Sequence, residues 1–380
     1  MGLKGRVPAL LPFAAIRPPR ALAALVSTRS YMTYSEEELA QKLATNPYSF
    51  LHVLNRRGET KDARFSPVRD GYEGFLAEGH LAQDDQAHLY IYQQTWDGHV
   101  FTGIIGLITH EDYRNGLIVK HENTIVKREK LFARYLNTVG FHAEPLLLAR
   151  PPHAEWDALI QTKVLERPET EFATADGALH ALWMVTDEQV STLRAFAQSC
   201  PAFYVADGHH RLASSERVAA SEGVMAFVLC ESQLRIAPFH RIVRNANKID
   251  WRTPLAARQL EARPSGLPKE GLFALDHQGW WHIPAKGLQF PESGWVYDQI
   301  LKPLWQIEDE RSDERMRYEP GTLALDEVEK VRKKNEVVFI LPPPAWDAVK
   351  IGADQGLSLP PKSTYIEPKL RSGITLYAWK

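Results

Sequence analysis

The sequence predicts a mixed α/β fold (α+β in its segregation of elements), and three observations carry the prediction. Residues 201–230 read as strand, turn, helix and strand in succession. Residues 202–206 are a short apolar run with aromatic and β-branched members, 212–221 carry helix formers up to a stop at Gly223, and 224–230 are a second continuous apolar run. Residues 88–94 alternate apolar and polar, then turn at Trp96-Asp97-Gly98-His99 into 100–109, the pattern of a β-hairpin. Helical stretches punctuate these runs, notably 124–138 and a helix that opens at Thr186-Asp187 and runs through Gln198.

In chain order, residues 7–16 form an extended opening segment and 20–26 a short helix. Ser35, with Glu38 three residues later, makes a capping box that starts a helix ending before Asn46-Pro47. Residues 49–54 read as a strand and 63–78 as a helix. In the hairpin, Gly103 and Gly106 are expected to mark bulges. A short strand at 117–119 precedes the 124–138 helix, with Thr124 placed to cap it. Residues 141–148 add a strand, 151–177 read as irregular and 180–185 as another strand. Residues 234–243 are extended and contain Pro238. The last third is rich in tryptophan (Trp280, Trp281, Trp295, Trp305), with a solvated helix at 326–334 and a buried strand at 337–341 that Pro342-Pro343-Pro344 ends. A chain of 380 residues accommodates one large or two ordinary domains. The expected division is 1–250, which carries the motifs described below, and a C-terminal portion, 251–380, packed on it.

Composition narrows the function classes. A hydrophobic content of 44% and a charged content of 24% are those of a soluble globular protein, expected here to be cytoplasmic. A formal net charge of -2 supplies no basic field, so nucleic acid is not an expected partner. Two cysteines, Cys200 and Cys230, lie in or beside apolar segments and are expected to be buried thiols. No apolar run approaches the roughly 20 residues that span a bilayer. The first 35 residues lack Asp and Glu but hold Lys4, Arg6, Arg17, Arg20 and Arg29. Four prolines there break any amphipathic helix, so the segment is read as part of the fold rather than as a transit peptide. The arginines line an anionic site in one reading and ordinary surface in the other.

The chemistry concentrates in Asp207-Gly208-His209-His210-Arg211, a polar turn between apolar runs. Gly208 lets the backbone approach a ligand, and Arg211 supplies a planar donor fork suited to phosphate. Asp207 can cap a helix, bind a metal or act as a base, and the two histidines titrate near neutral pH. The competing structural reading makes Asp207 only a cap and the histidines satisfied surface groups. A second cluster holds His121 and Glu122, the best general-base candidates outside the turn, with Lys127 and Arg128 close by on the next helix. The alternative is that Glu122 pairs with those cations on a helix surface. Position 125 is Ile, so His121-Glu122 is not a zinc-protease motif. His240-Arg241 offers a further cation for the same phosphate, or an exposed strand end. Lys362-Ser363-Thr364 places a lysine beside two hydroxyls among prolines, without the glycines of a P-loop.

The stretch Tyr204-Val205-Ala206-Asp207-Gly208-His209-His210-Arg211 resembles the signature of a bacterial and archaeal domain-of-unknown-function family, number ten-fifteen. Further blocks extend the resemblance over nearly the whole chain. They are Pro12-Phe13 with Ile16-Arg17-Pro18, residues 27–34, Asn46-Pro47, Tyr90-Ile91-Tyr92, His121-Glu122-Asn123-Thr124, residues 361–365, and Pro368-Lys369. Many members of that family carry Pro-Tyr-Asp where this chain has Ser30-Tyr31-Met32, so no role for that aspartate carries over, while Ser27, Arg29 and Tyr31 stay as site candidates. The turn is also similar to the phosphate-binding turn of ParB/sulfiredoxin-like folds, a group that includes free-serine kinases. That similarity implies a ParB-like core and a small-molecule phosphotransferase. ATP, ADP or pyrophosphate would be donor, with Mg²⁺ on Asp207, and free L-serine or another small hydroxyl compound acceptor. Gly208, His209, His210, Arg211, His240, Arg241, Lys362, Ser363 and Thr364 would handle phosphate, with Glu122 or His121 as base. Two other readings stand beside it: a metal-dependent hydrolase using Asp207, His209, His210 and His121, and a non-enzymatic nucleotide-binding regulator.

Overall fold

The apolar runs of the first part of the chain pair into one mixed sheet of eight strands. In a computed structural model, residues 7–60, 63–244, 249–310, 312–360 and 362–379 are described. Lys4, Arg6 and Pro361, singled out from the sequence, lie outside them. Across the sheet the strands run Ile118–Val119, Phe203–Asp207, Leu146–Arg150, Gly223–Cys230, His99–Thr109, Tyr90–Trp96, Leu179–Met184 and Thr170–Ala173. Phe203–Asp207 is parallel to Ile118–Val119, and Gly223–Cys230 is parallel to Leu146–Arg150. The other pairings are antiparallel. The predicted hairpin is present. Asp97 and Gly98 turn it with φ of 49° and 72°, the left-handed pair that matches the twist of the flanking strands.

Helices cover this sheet because their apolar faces have nowhere else to go. Trp156 and Ile160 of Ala154–Lys163, Val190, Leu193 and Ala197 of Asp187–Ser199, and Leu212 pack against Ile91, Ile104, Leu148, Val205 and Val228. Each such side chain contributes roughly 1.5–3 kcal/mol on burial. A second cluster joins Phe50, Val53, Tyr72 and Phe75 to Val139, Phe141 and Leu376. The chain's end adds Tyr377–Ala378 to Phe141–His142 as a two-stranded sheet.

The chain divides into two compact units. The first is Met1–Lys120, Thr124–Leu234 and Pro368–Lys380, and the second is His121–Asn123 with Arg235–Glu367. The change of unit thus falls at Leu234, ahead of the expected 250/251, and the last segment returns to the first unit. In the second unit an antiparallel sheet runs Arg258–Gln259, Gly279–Ile283, Leu272–Asp276, Glu336–Ile340, Arg235–Arg244 and Met316–Pro320, and Thr364–Glu367 also pairs with Arg235–Arg244. Tryptophans of the last third build its core: Trp251 and Trp305 meet Phe339 edge-on at 5.7 and 5.8 Å. Among the described residues no helix is long and apolar enough to cross a membrane.

Several expectations change. Residues 49–54 are not a strand, because Leu51–Leu54 is a helical turn whose Leu51, Val53 and Leu54 are buried. An apolar run this short has no period to tell the two apart. Residues 151–177 are not irregular: they hold the helix Ala154–Lys163, capped by the His153 side chain at Trp156 N (3.2 Å), and the strand Thr170–Ala173. Gly103 and Gly106 mark no bulges, since the register runs unbroken through both. They permit close approach instead: an added Cβ would lie 2.4 Å from Val228 O at position 103 and 2.7 Å from Leu10 Cδ1 at position 106. Thr124 does not cap the next helix, which is Val126–Val139 with Ile125 at its cap position. The helix expected at 212–221 is His209–Ser215, so it begins inside the polar turn. The capping box at Ser35 is as expected, with Ser35 Oγ accepting from Glu38 N at 3.1 Å. Cys200 and Cys230 are buried free thiols.

Candidate functional site

The strand Phe203–Asp207 carries a register shift between Val205 and Asp207, and the side chain of Asp207, its last residue, is 40% exposed. Gly208 follows with φ 101° and ψ 21°, and the helix His209–Ser215 starts at once. That helix has seven residues, so its macrodipole is slight and side chains supply the charge of the site. Arg211 points back across the turn. Its Nη2 donates to Asp207 Oδ2 at 3.1 Å, and its Nη1 donates to Pro145 O at 2.8 Å and pairs with Glu144 Oε1 at 2.7 Å. Lys369 Nζ donates to the other oxygen of Asp207, Oδ1, at 3.0 Å. Ser372 Oγ donates to Glu144 Oε2 at 3.3 Å. Glu144, Arg211, Asp207 and Lys369 therefore alternate in charge along one line.

This alternation sets protonation. Burial pushes the Asp207 carboxyl up, but Lys369 and Arg211 outweigh it and hold the group well below the usual carboxylate range. For Glu144 burial wins over Arg211, and its carboxyl is raised. Asp207 is thus the fixed anion and Glu144 the one closer to neutrality. His209 is buried, and burial together with Arg128 lowers the pKa of His210. Below them, Ser215 Oγ lies 3.2 Å from both His110 Nε2 and His142 Nε2. Burial pushes the His142 imidazole down to about 3, so it is neutral there.

On the facing helix, Glu129 is buried, accepts from the Thr124 hydroxyl, and pairs with Arg217 through Nε (3.0 Å) and Nη2 (2.5 Å). The Thr124 hydrogen bond and Arg217 hold its carboxyl below the usual range despite burial.

The remaining candidates lie in the second unit. His121 is buried beside Trp346, with Nε2 3.5 Å from Thr364 Oγ1, at the outer limit of a hydrogen bond. Its carbonyl accepts from Leu359 N at 2.8 Å, and Glu122 bridges to Leu359. Lys362, at φ 56°, sets its ammonium 4.7 Å from the Phe239 ring, and its carbonyl accepts from Arg241 Nη1 at 2.8 Å. Ser363 shares a 2.6 Å hydrogen bond with Ser293. His240 and Arg241 are wholly buried, and Arg241 also reaches Phe239 O and Glu310. Here residues 121–122, 240–241 and 362–364 do come together: 121–122 through Leu359 and Thr364, and 240–241 through the Arg241 bond to Lys362 O beside the pairing of Thr364–Glu367 with Arg235–Arg244.

Of the N-terminal arginines, Arg17 is committed to Asp84 at 2.8 Å, Arg20 to the carbonyls of Pro168 and Glu169, and Arg29 stacks on Tyr34 at 4.4 Å. The residues present do not form a resident metal site. Asp207 is already shared by two cations, and among the described residues no three of His, Cys, Asp and Glu converge on a point that would hold an ion. Three partners of the turn escaped sequence reading: Glu144, Lys369 and Ser372. Glu144 left a signal, as the only carboxylate inside the apolar run 141–148, and Lys369 left a weaker one as part of Pro368-Lys369.

A family model described as "Protein of unknown function (DUF1015)" matches residues 10–342. The chain belongs to that family. No curated protein matches the DUF1015 chain. Among solved structures it is similar to SbnI with a C-terminal truncation from Staphylococcus aureus, at 12% identity over 69% of this chain and 82% of that one, with a TM-score of 0.41. It is also similar to a free serine kinase mutant in complex with ADP, at 14% identity over 71% and 92%, with a TM-score of 0.40. A conserved hypothetical protein from Pyrococcus furiosus is similar at 14% identity over 70% and 93%, with a TM-score of 0.39. With TM-scores near 0.4, the chemistry of this DUF1015 protein has to be read from its own residues.

Proposed function

We propose that the Asp207–Arg211 turn binds the phosphates of a nucleotide or of pyrophosphate and that the protein is a small-molecule phosphotransferase. The observation that carries this is the seat of Arg211. Its guanidinium is held at a half-exposed turn by Asp207 and Glu144, beside a glycine whose missing side chain makes room for it. Arg211 presents a donor fork to a surface from which one carboxylate, the raised Glu144, can withdraw when a stronger anion arrives. Asp207 remains ionised and orients the fork.

The resemblance of the turn to ParB-like folds supports phosphate as the ligand and free L-serine, or a comparable small hydroxyl compound, as acceptor. Mg²⁺ would enter with the donor's phosphates rather than as a resident ion of the turn. Glu122, with His121 beside it, is the proposed proton acceptor. Lys362, Ser363 and Thr364 are proposed phosphate contacts on the same footing as His209 and His210.

Thermal unfolding with ATP, ADP, CTP and pyrophosphate, each with and without Mg²⁺, tests the binding step, since a ligand of the folded state raises apparent stability by mass action. One donor should raise the unfolding temperature, and Arg211→Ala should abolish the rise. No response in the unmodified protein overturns the reading. In a serine-phosphorylation assay with the responding donor, Glu122→Gln should lower kcat by about 100-fold or more while leaving donor KM near its original value. An unchanged kcat would remove Glu122 as base.

A further inference from the structure

We propose that Lys369, carried to the turn by the chain's last segment, is a second phosphate-binding cation of this site, an assignment that rests on the phosphate reading above. Arg211 and Lys369 each take one oxygen of Asp207, at 3.1 and 3.0 Å. One carboxylate therefore bridges two cations, one on each of its oxygens, at a place where the lysine side chain is 42% exposed. A terminal phosphate or pyrophosphate has several non-bridging oxygens and can accept from both groups at once. Asp207 stays behind them as the counter-ion that fixes their spacing.

A lysine on a mobile loop loses much of its binding energy to the ordering of its stem. Lys369 is not so placed. Its carbonyl accepts from Gln94 Nε2 at 3.3 Å. Two residues on, Arg371 Nη2 meets Asp176 at 2.6 Å. Ser372 exchanges backbone hydrogen bonds with Thr28 at 2.9 and 3.1 Å, Gly373 N donates to Ala143 O at 3.1 Å, and Leu376 exchanges bonds with Ile16 at 2.7 and 3.0 Å. The same segment touches both carboxylates of the cluster, Asp207 through Lys369 and Glu144 through Ser372. It is a strap sewn to the first unit along its length, and the residue it presents at the turn is a cation. The family model matches only as far as residue 342, so the strap lies beyond the matched stretch and still completes the turn.

The competing possibility is a structural staple, in which Lys369–Asp207 only holds the strap down. Calorimetric titration of the full chain with pyrophosphate separates the two. Lys369→Met should weaken binding by at least about ten-fold, as loss of one charge-assisted contact does, and Lys369→Arg should recover most of it. Binding by Lys369→Met at the original affinity, with binding lost in Arg211→Ala, overturns the role of Lys369 and leaves the phosphate reading standing. No pyrophosphate, ADP or ATP binding by the unmodified protein overturns both. A second readout needs no variant. Saturating pyrophosphate should protect Lys369 from amine acylation, read by peptide mass spectrometry against an exposed lysine such as Lys330. Equal labelling with and without pyrophosphate overturns the proposal even if Lys369→Met does not fold.

Discussion

At Gly208 the backbone turns at φ 101°, where an L side chain is strained whatever room it has. Room is also absent: an added Cβ would lie 2.7 Å from Leu146 Cδ2 and 3.2 Å from Arg211 Nε and Nη2. Gly116 makes the comparison clean, since it has φ 74° with nothing within 4 Å of an added Cβ. Gly116→Ala should cost about 1 kcal/mol, the backbone component alone. Gly208→Ala should cost roughly 1–3 kcal/mol more, and it should also impair phosphate binding by displacing the guanidinium. Urea unfolding of the two variants side by side measures the difference, and equal losses would mean that Leu146 and Arg211 yield freely. The identity of the motif residues was legible in the sequence because five functional residues stood in a row between apolar runs. Their partners were not. Glu144 lies 67 positions from Arg211 and Lys369 lies 162 from Asp207, and no local pattern encodes contacts at that range.

Among the elements, legibility followed length and punctuation. The 90–109 hairpin announced itself through alternation and Asp97-Gly98, the helix at Glu36–Thr45 through the Ser35/Glu38 capping box, and the helix at Asp187–Ser199 through its Thr186-Asp187 start, where the structure adds a capping box from Thr186 and Gln189. Leu51–Leu54 failed because so short a run, with Leu51, Val53 and Leu54 apolar, fits a buried strand and a buried turn of helix equally well. Ala154–Lys163 failed for a different reason. Its cap is a histidine, an unusual N-cap, and its fully buried apolar anchors are Trp156 and Ile160, with Leu159 only partly buried. Gly103 and Gly106 were read by a correct rule applied to the wrong branch. Glycine within a strand marks either a bulge or a close approach, and packing against Val228 and Leu10 decides for the second. The motif helix was expected from Leu212 because His209, His210 and Arg211 read as part of the polar turn, which set its cap too late. The left-handed Gly208 holds that position, and the helix takes His209 to Arg211 into its first turn. That shift is what aims Arg211 back at Asp207, four residues earlier on the same face.

For the whole molecule the buried histidines predict a response to acid that the net charge of -2 does not. Burial holds His142 and His180 in the first unit, and His240 in the second, down to about 3 from an ordinary 6.5. Below about pH 6.5 the unfolded chain takes up a proton at each of these positions and the folded chain does not, so stability falls as pH falls, until about pH 3. The slope reaches about 1.4 kcal/mol per pH unit for each histidine, or roughly 2 kcal/mol apiece between pH 6.5 and 5. The salt-bridged Asp176, lowered to about 2, adds its own loss only below its ordinary 3.8, and Glu144, raised, works in the opposite direction. Acid lability should therefore begin near pH 6, where carboxylates are still ionised. If the two units unfold separately, the first should weaken at least twice as steeply as the second, because it holds His142 and His180, with His110 and His210 also lowered, against His240 alone. Urea unfolding at several values from about pH 7.5 down to about pH 5 measures the slopes. His240 gives the sharpest control, because both its ring nitrogens are buried with no hydrogen-bond partner among the described residues. His240→Leu removes the titration and no hydrogen bond, so it should flatten the second unit's pH dependence by about 1.4 kcal/mol per pH unit while costing little stability at neutral pH. A pH profile that His240→Leu leaves unchanged would place the acid-sensitive group elsewhere in that unit.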